Sequence, residues 1–310
     1  MPGSEAIGGT IPRMNAEGLE KTRRAGKIAA QCREWARGAI KPGVRLRDIL
    51  ETIEDTIRKE GAAPAFPAQT SRNECAAHYC SSPDDETVYQ EGDVVKVDMG
   101  VHIDGWIADT ACTVDLSGKP ENQALIQASA DALSAAIGLV EPGRPVSEIG
   151  AAVERTITKA GFEPVRNLTG HGLDQWKVHC APQIPNYGER GGGKLAEGMV
   201  IAIEPFSCTG RGFIHEAGRA EVFMLVRPPR KAKGIDKDVL RAMQEWRGLP
   251  IARRYFSDLP TDAVEDTISK LARQGVLVRY PPLVEKEGVL VAQTEHTLYL
   301  GPDGVEIITA

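Results

Sequence analysis

The chain has 310 residues, of which 42% are hydrophobic and 26% charged, a composition typical of a soluble globular protein with one or two domains. Its net charge of -6 argues against a generally basic surface that coats nucleic acid. No run approaches the ~18 apolar residues that a membrane span requires, the cysteines form no CxxC pair, and the N-terminus shows no apolar signal core, so we expect a cytoplasmic protein with reduced thiols.

Two amphipathic helices are predicted after a polar, Gly-rich segment, residues 1 to about 14, which we expect to be frayed. The first helix begins after Asn15, a suitable N-cap, and runs to about Ile40, where a Lys-Pro-Gly sequence ends it. The second helix runs from about Leu46 to Lys59, with isoleucines along one stripe.

A β-hairpin is predicted from Val94 to Leu116. Its two strands alternate apolar and polar residues and are joined by Asp104-Gly105, a preferred two-residue turn. With that turn, Asp98 faces Ala111 and Asp109 is its diagonal neighbour. Diagonal neighbours lie roughly 7–8 Å apart, which lets two carboxylates converge on a shared cation or cation pair. A solvated acidic hairpin edge is the alternative interpretation.

Two short sequence motifs each occur twice in the chain, in the same order. Residues 41–49 (KPGVRLRDI) are echoed by residues 141–149 (EPGRPVSEI), and residues 91–98 (EGDVVKVD) by residues 197–204 (EGMVIAIE). Both copies of the second phrase end in a carboxylate. The repeats predict an α+β fold of two related halves that contribute carboxylates to a cleft between them; the alternative is that such phrases are ordinary turn-to-strand sequence.

Residues 227–282 do not follow the pattern of the two repeated halves and are predicted to be an insert. Two helical stretches, about Asp236 to Trp246 and Thr261 to Gln274, precede a short β wing, which resembles a helix-turn-helix unit. Residues 1–226 and 283–310 would then form the main domain. The insert is mildly basic, but its charges are interspersed, so we favour a lid or docking role over nucleic-acid binding.

Five residues lie at predicted strand ends or middles, where an unpaired charge would be costly. One of them interrupts the apolar alternation from Val289 to Leu300, which we predict to be a core strand. The set suits a pair of divalent first-row ions better than a structural zinc site, which favours Cys and His. The five are Asp98, Asp109, His171, Glu204 and Glu295. Flanking glycines allow His171 a close backbone approach, which favours a ligand role for it.

Phrases along nearly the whole chain resemble the methionine aminopeptidases, in that family's order and spacing. They are Pro64-Ala65-Phe66-Pro67, Asn73-Glu74-Cys75-Ala76-Ala77-His78, Asp98-Met99-Gly100, Asp109-Thr110-Ala111, Gly170-His171-Gly172, Ile203-Glu204-Pro205-Phe206 and Gln293-Thr294-Glu295-His296-Thr297. The position of the insert, and of His179 eight residues after His171, is similar to the type II enzymes of archaeal kind. One departure follows His78, where Tyr79-Cys80-Ser81-Ser82-Pro83 replaces the usual Tyr-Thr-Pro, so the shape of that loop is not carried over.

The resemblance implies a two-fold pseudo-symmetric pita-bread fold with a winged-helix-like insert. It also implies removal of the initiator methionine from nascent proteins and peptides whose second residue is small. The five residues above would bind two divalent metal ions per chain (cobalt, manganese, iron or zinc), with Asp109 and Glu295 bridging.

The resemblance also implies roles for the residues around the metals. Glu204 would act as the acid–base group as well as a ligand, His179 would stabilise the oxyanion, and His78 would hydrogen-bond the scissile nitrogen. An apolar methionine pocket would be formed by Phe66, Leu168, Val178, Phe206 and Tyr280. The other histidines, His102, His215 and His296, are interpreted as structural.

Two alternatives stay open. A prolidase-like Xaa-Pro peptidase shares the fold and the ligands, although the insert and the absence of a preceding domain argue against it. A non-catalytic relative that binds RNA or a partner is disfavoured by the intact ligand set. The expected partners are N-terminal methionyl peptides and nascent chains, with proximity to the ribosome; we expect a monomer and no membrane association.

Overall fold

A computed structural model describes residues 14–189, 191–229 and 233–310, so most of the segment predicted to be frayed lies outside the described residues. The helices are α1 (Ala16–Ala39), α2 (Leu46–Lys59), α3 (Pro120–Ile137), α4 (Val146–Lys159), α5 (Lys237–Glu245) and α6 (Thr261–Arg273), with a short 3-10 helix at Arg253–Phe256. Within the described part of the chain, none of the helices combines the length and the apolar character needed to cross a membrane.

The strands up to the end of the second hairpin are β1 (Ala63–Pro64), β2 (Gln69–Arg72), β3 (Cys75–Ala77), β4 (Val94–Ile103), β5 (Trp106–Asp115), β6 (Glu163–Pro164), β7 (Thr169–Asp174) and β8 (Lys177–Pro185). Those that follow are β9 (Val200–Ile203), β10 (Phe206–Cys208), β11 (His215–Glu216), β12 (Val222–Leu225), β13 (Ile251–Ala252), β14 (Leu277–Tyr280), β15 (Leu283–Val284), β16 (Val291–Gln293), β17 (His296–Gly301) and β18 (Gly304–Ile307).

The two predicted N-terminal helices are confirmed. Asn15 caps α1, because its side chain accepts a hydrogen bond from Gly18 N at 2.7 Å. The second helix has the predicted bounds, and its apolar stripe, which includes Ile49 and Ile53, is buried. Both helices pack against β4 and β5 in one hydrophobic cluster, so the first half is a helical layer on a sheet.

The two halves repeat the same elements. Residues 46–59 form α2 and residues 146–159 form α4, while β1 and β6 occupy residues 63–64 and 163–164. In the second half, α3 and α4 pack against β8, β9 and β17, as α1 and α2 pack against the hairpin. This is the pita-bread arrangement of two α+β halves that the resemblance implies.

The predicted hairpin of β4 and β5 is confirmed with its register. Asp98 pairs with Ala111, and Gly100 pairs with Asp109. Both turn residues have positive φ angles, 52° at Asp104 and 85° at Gly105, as a type I′ turn requires. Because the register follows from the turn, the two acidic residues occupy the predicted diagonal positions.

The predicted strand from Val289 to Leu300 is not continuous. Its first part, β16, pairs with β10, and its second part, β17, pairs with β9 and β18. Thr294 and Glu295 lie between the two strands. The alternation of apolar residues continues across this break, which is why the sequence pattern did not reveal that the segment changes its pairing partners there.

The two helices and the β wing of the insert form close to their predicted bounds, apart from residues 230–232, which lie outside the described chain. The wing strand β14 pairs with β12, which precedes residue 227 in the chain and also pairs with β13. Ala220 and Phe223 lie in the same hydrophobic cluster as α5 and α6. The insert therefore shares a sheet and a core with residues upstream of the expected boundary.

Candidate metal and active site

Three of the five candidate ligands form a compact group. Asp109, His171 and Glu295 are buried, and one donor atom from each lies within 4.8 Å of the others. Asp109 belongs to β5, His171 to β7, and Glu295 to the break between β16 and β17. The group therefore combines side chains from both halves of the fold.

The remaining two candidates adjoin this group. Glu204 follows β9, and its Oε1 lies 3.6 Å from His171 Nε2, while Asp109 Oδ2 lies 3.9 Å from the same nitrogen. Gln293 Nε2 lies 3.4 Å from Asp98 Oδ2 and 3.3 Å from Glu204 Oε2. The structure thus places all five candidates in one cluster, in which Asp98 and Glu204 are partly exposed and are connected by the amide of Gln293.

The glycines beside His171 allow β7 to lie against its neighbours. A Cβ atom at Gly170 would approach Ala202 O to 2.4 Å, and one at Gly172 would approach Ala181 O to 2.3 Å, so neither position accepts a side chain. His171 Nδ1 lies 3.2 Å from Gly172 O. Donation from Nδ1 to that carbonyl leaves the lone pair of Nε2 directed at the carboxylates, as a metal ligand requires.

The electrostatics of the cluster are unfavourable for a protein without a cation. Burial raises the pKa of each carboxyl group, and neighbouring carboxylates raise it further in Asp109, Glu204 and Glu295. Burial, followed by the charge of His179, lowers the pKa of His171 well below its usual value. Like charges held together in this way need a positive partner.

Unpaired oxygen atoms provide a test of whether the residues fit a metal. Oδ1 of Asp98, Oδ1 of Asp109 and Oε2 of Glu295 are buried and have no hydrogen-bond partner among the residues that the structure describes. A buried carboxylate oxygen without a donor is costly, and a cation removes that cost. Carboxylates with one imidazole are donors that several first-row divalent ions accept, so the residues fit a divalent metal site.

Two further histidines lie at the same site. The ring of His179 lies 4.3 Å from the ring of His171 in an edge-to-face contact, and the ring of His78 lies 5.6 Å from that of Tyr280. Burial, followed by the charge of His179, lowers the pKa of His78 to about 4, and burial lowers the pKa of His179. Both rings are therefore neutral at pH 7 and can each donate one N–H.

The five predicted pocket residues lie in three hydrophobic clusters. Phe66 and Val178 share one cluster, Leu168 and Phe206 share a second, and Tyr280 packs against a third. Gly100 makes room for Phe66, because a Cβ atom at that position would approach the Phe66 ring to 2.3 Å. The contribution of these residues to a single pocket stays a prediction.

The unusual loop after His78 contacts the insert. Cys80 is buried against Val222 and Ala252, and Arg254 Nη1 lies 2.6 Å from its sulfur. Burial raises the pKa of the Cys80 thiol to about 11. The departure from the family pattern therefore places a neutral thiol in an interface between the insert and the rest of the chain.

The sequence patterns predict no role for Gln293 or for Thr113 and Thr297, two threonines whose hydroxyls contact the backbone of Gln293 and of Asp109. Gln293 and Thr297 lie within a phrase that carries the resemblance, which was the available signal. Their contacts join segments about 180 residues apart in the chain. The structural interpretation of His102 and His296 agrees with their contacts, to Gly105 N at 3.1 Å and to Thr309 Oγ1 at 2.9 Å, and His215 lies exposed in β11.

Comparisons with known proteins agree with this geometry. Residues 20–252 match the model of metallopeptidase family M24. The methionine aminopeptidase of Archaeoglobus fulgidus is 45% identical over 297 residues, which cover 96% of this chain and 100% of that protein. The methionine aminopeptidase of Pyrococcus horikoshii is 41% identical over 295 residues, which cover 94% and 99%.

A solved structure shows the same fold. The crystal structure of a methionine aminopeptidase from Thermotoga maritima superposes with a TM-score of 0.71 at 24% identity, covering 97% of this chain and 99% of that one. At this identity the likeness concerns the fold, whereas the archaeal relatives extend the agreement to the sequence of nearly the whole chain. The chain therefore belongs to metallopeptidase family M24 and, within it, to the methionine aminopeptidases.

Proposed function

We propose that the chain hydrolyses the first peptide bond of peptides and nascent proteins and so removes their N-terminal methionine. The observation that carries this proposal is the cluster of four carboxylates and one imidazole drawn from both halves. Such a donor set, with neutral histidines beside it, suits metal-assisted hydrolysis. Membership in the methionine aminopeptidases supports the choice of substrate.

Family membership implies the use of divalent metal, and we propose two ions per chain. The ligands would be Asp98, Asp109, His171, Glu204 and Glu295. When bound, the ions supply Lewis-acid polarisation and lower the pKa of water for attack on the peptide carbonyl. The unpaired oxygens of three of these carboxylates support the assignment. Cobalt, manganese, iron and zinc all accept such donors.

Glu204 is proposed to move the proton. One of its oxygens faces His171 and the other faces the amide of Gln293. Burial, followed by the charge of Asp98, raises its pKa, and a raised pKa makes a carboxyl group a better proton acceptor. The amide contact would keep the carboxylate in one orientation while the proton moves.

The two unligated histidines are proposed to bind the peptide bond. As a neutral ring beside His171, His179 would donate to the carbonyl oxygen and stabilise the negative charge that develops there. His78 would hydrogen-bond the scissile nitrogen, and its buried Nδ1 has no partner among the described residues. The His78 amide N donates to Gln69 Oε1 at 2.8 Å, which holds a backbone with a positive φ of 65° in place.

The methionine side chain is proposed to bind an apolar pocket. The residues assigned to it are Phe66, Leu168, Val178, Phe206 and Tyr280. The contact between the rings of Tyr280 and His78 supports this assignment, because it brings the end of the insert to the active-site histidine. The preference for a small second residue rests on the resemblance to the family.

The proposal is tested with synthetic peptides and metal-free protein. We expect release of methionine from Met-Ala-Ser and Met-Gly peptides only after a divalent ion is added, and no cleavage of an Xaa-Pro dipeptide. Asp109→Ala should abolish metal-dependent release, whereas Asp131→Ala, which removes an exposed carboxylate on α3, should not. Cleavage of Xaa-Pro alone would support a prolidase-like enzyme, and RNA binding without hydrolysis a non-catalytic relative; the archaeal relatives favour neither.

We further propose a division into a catalytic domain and an insert that begins near Ala220 and ends near residue 282. The shared cluster of Ala220, Phe223 and the insert helices supports the earlier boundary. Proximity to the ribosome and a monomeric state are further proposals, and a cytoplasmic location is proposed from the cysteine pattern. Sedimentation of the purified chain alone and with ribosomes measures the first two.

A further inference from the structure

Two segments that carry candidate ligands lie edge to edge across the two halves. Residues 109–113 of β5 face residues 293–297, and we call this junction the seam. Alternate residues of an antiparallel strand direct their backbone groups to one side, and in β5 those at 109 and 111 face the seam. Ala111 O accepts a hydrogen bond from Glu295 N at 3.1 Å. The Thr110 hydroxyl donates to Glu295 O at 2.9 Å, so Glu295 is held through both of its backbone groups. On either side of these contacts, a further threonine hydroxyl lies between the two backbones.

Thr297 provides the hydroxyl at Asp109. Its Oγ1 accepts a hydrogen bond from Asp109 N at 2.7 Å and donates one to Asp109 O at 2.8 Å. Thr297 is fully buried, and its own N–H donates to Thr309 Oγ1 at 3.1 Å. One side chain from the second half therefore holds both backbone groups of a candidate ligand in the first half.

Thr113 provides the hydroxyl at the other end of the seam. Its Oγ1 accepts from Gln293 N and donates to Gln293 O, both at 2.8 Å. The side chain of Gln293 in turn contacts Asp98 and Glu204. Thr113 thus reaches from β5 to the backbone of Gln293, whereas Thr297 reaches from β17 to the backbone of Asp109. The contacts of Glu295 with Ala111 and Thr110 lie between them.

We propose that Thr297 is a positioning residue for the metal centre, whose hydroxyl sets the spacing between the two backbones that carry Asp109 and Glu295. This inference rests on the proposed function and extends it to a residue outside the ligand set. Valine has nearly the shape of threonine but can neither accept nor donate, so in Thr297→Val two buried backbone groups of Asp109 lose their partner. The seam then shifts, and the carboxylate of Asp109 shifts with it.

The test is a calorimetric titration of metal-free protein with Mn²⁺. Removing a partner that orients a metal ligand typically weakens metal binding about 10- to 100-fold, and we expect a loss of this size in Thr297→Val. Thr297→Ser keeps the hydroxyl and should bind Mn²⁺ with an affinity close to wild type. The thermal midpoint of each metal-free variant is measured in parallel.

Two buried threonines serve as matched controls. Thr22 in α1 is fully buried, and its hydroxyl has no hydrogen-bond partner among the described residues, so Thr22→Val tests the exchange of side chains itself. Thr267 in the insert is fully buried, and its hydroxyl accepts from Asp236 N at 3.3 Å, so Thr267→Val removes a buried hydrogen bond far from the ligands. Neither should change the affinity for Mn²⁺.

The wild-type titration is read first. Absence of Mn²⁺ binding there overturns the proposed metal site, and this inference with it. Binding of equal strength by wild type and Thr297→Val overturns the inference alone, as does an equal loss in Thr267→Val. If Thr297→Val does not fold, Thr113→Val is titrated instead, because Thr113 holds the backbone of Gln293 with the same geometry. An affinity for Mn²⁺ equal to wild type in that variant also overturns the role of the seam.

Discussion

Glu54 of α2 and Arg254 of the insert form an ion pair that is almost fully buried, with side-chain exposures of 2% and 4%. Tyr255 OH donates to Glu54 Oε1 at 2.7 Å, and Ala68 N donates to the same oxygen at 3.0 Å. Arg254 also contacts Cys80 in the loop after His78. The pair therefore connects the insert both to α2 and to the loop that carries an active-site histidine.

Loss of this pair should destabilise the protein strongly. Glu54→Ala leaves Arg254 charged and buried without a carboxylate, and breaking a buried pair in this way lowers the free energy of unfolding by about 3–5 kcal/mol. The measurement is unfolding in urea. As a control, Glu86→Ala removes an exposed partner of Arg45 and should change the free energy by less than about 0.5 kcal/mol. Equal effects of the two substitutions would contradict the importance of the buried pair.

The metal-free protein should become more stable as the pH falls from 8 towards 6.5. Burial raises the pKa of Asp98 from its usual value of 3.8 to about 7. At pH values between those two, the folded state binds the proton and the unfolded state does not, so stability falls as the pH rises through 7. The slope is at most about 1.4 kcal/mol per pH unit for each proton.

This pH dependence is measured as the midpoint temperature of thermal unfolding in the presence of a metal chelator. Asp98→Asn should reduce the slope, because the amide does not titrate, while the raised pKa values of Asp109, Glu204 and Glu295 keep part of it. The difference between the two proteins isolates Asp98 from the histidines, whose lowered pKa values act in the opposite direction below about pH 6.5. Parallel curves for wild type and Asp98→Asn would show that this carboxyl group does not carry the effect.

Removal of the His179 ring should affect turnover more than metal binding. If His179 donates to the developing oxyanion, His179→Ala should lower kcat by about 10²–10³. The ring contacts His171 but is not among the proposed ligands. Steady-state kinetics on Met-Ala-Ser and a Mn²⁺ titration distinguish the two effects. A variant that has lost metal affinity to the same extent as kcat would point to a ligand role instead.

A side chain at Gly100 should displace Phe66. The added Cβ of Gly100→Ala would lie 2.3 Å from the Phe66 ring, and overpacking of this kind costs about 1–3 kcal/mol. We expect a higher KM for methionyl peptides together with the loss of stability. Phe66→Leu in the same chain should relieve part of the stability loss.

Gly38→Ala is the matched control for this overpacking. Gly38 lies within α1, and apart from the backbone of its own helix no atom of the described residues lies within 4 Å of the added Cβ, so alanine there should stabilise the protein by up to about 1 kcal/mol. A destabilised Gly38→Ala, or a Gly100→Ala variant with unchanged stability and KM, would contradict the assignment of Phe66 to a tightly packed pocket wall.

The sequence by itself determined the elements whose causes are local. The bounds of α2 follow from a stripe of isoleucines and a closing glycine, and the register of β4 and β5 follows from two turn residues with positive φ. The repeated motifs indicated two halves, because they place helix and strand signals at similar offsets in each half. The five candidate ligands were identified as ionisable residues on predicted strands, where an unpaired charge is unfavourable. The resemblance indicated that they bind metal together.

Only the tertiary structure decided which distant segments meet. Examples are the change of pairing partner at Thr294 and Glu295 and the pairing of β12 with β14. Another is the hydrogen bond from the Thr297 hydroxyl to Asp109 O, which joins residues far apart in the chain. Periodicity reports which face of an element is apolar, but many partners satisfy an apolar face equally well. The choice among them depends on the hydrogen bonds and buried charges that every other segment has to satisfy at the same time, and these exist only in the folded chain.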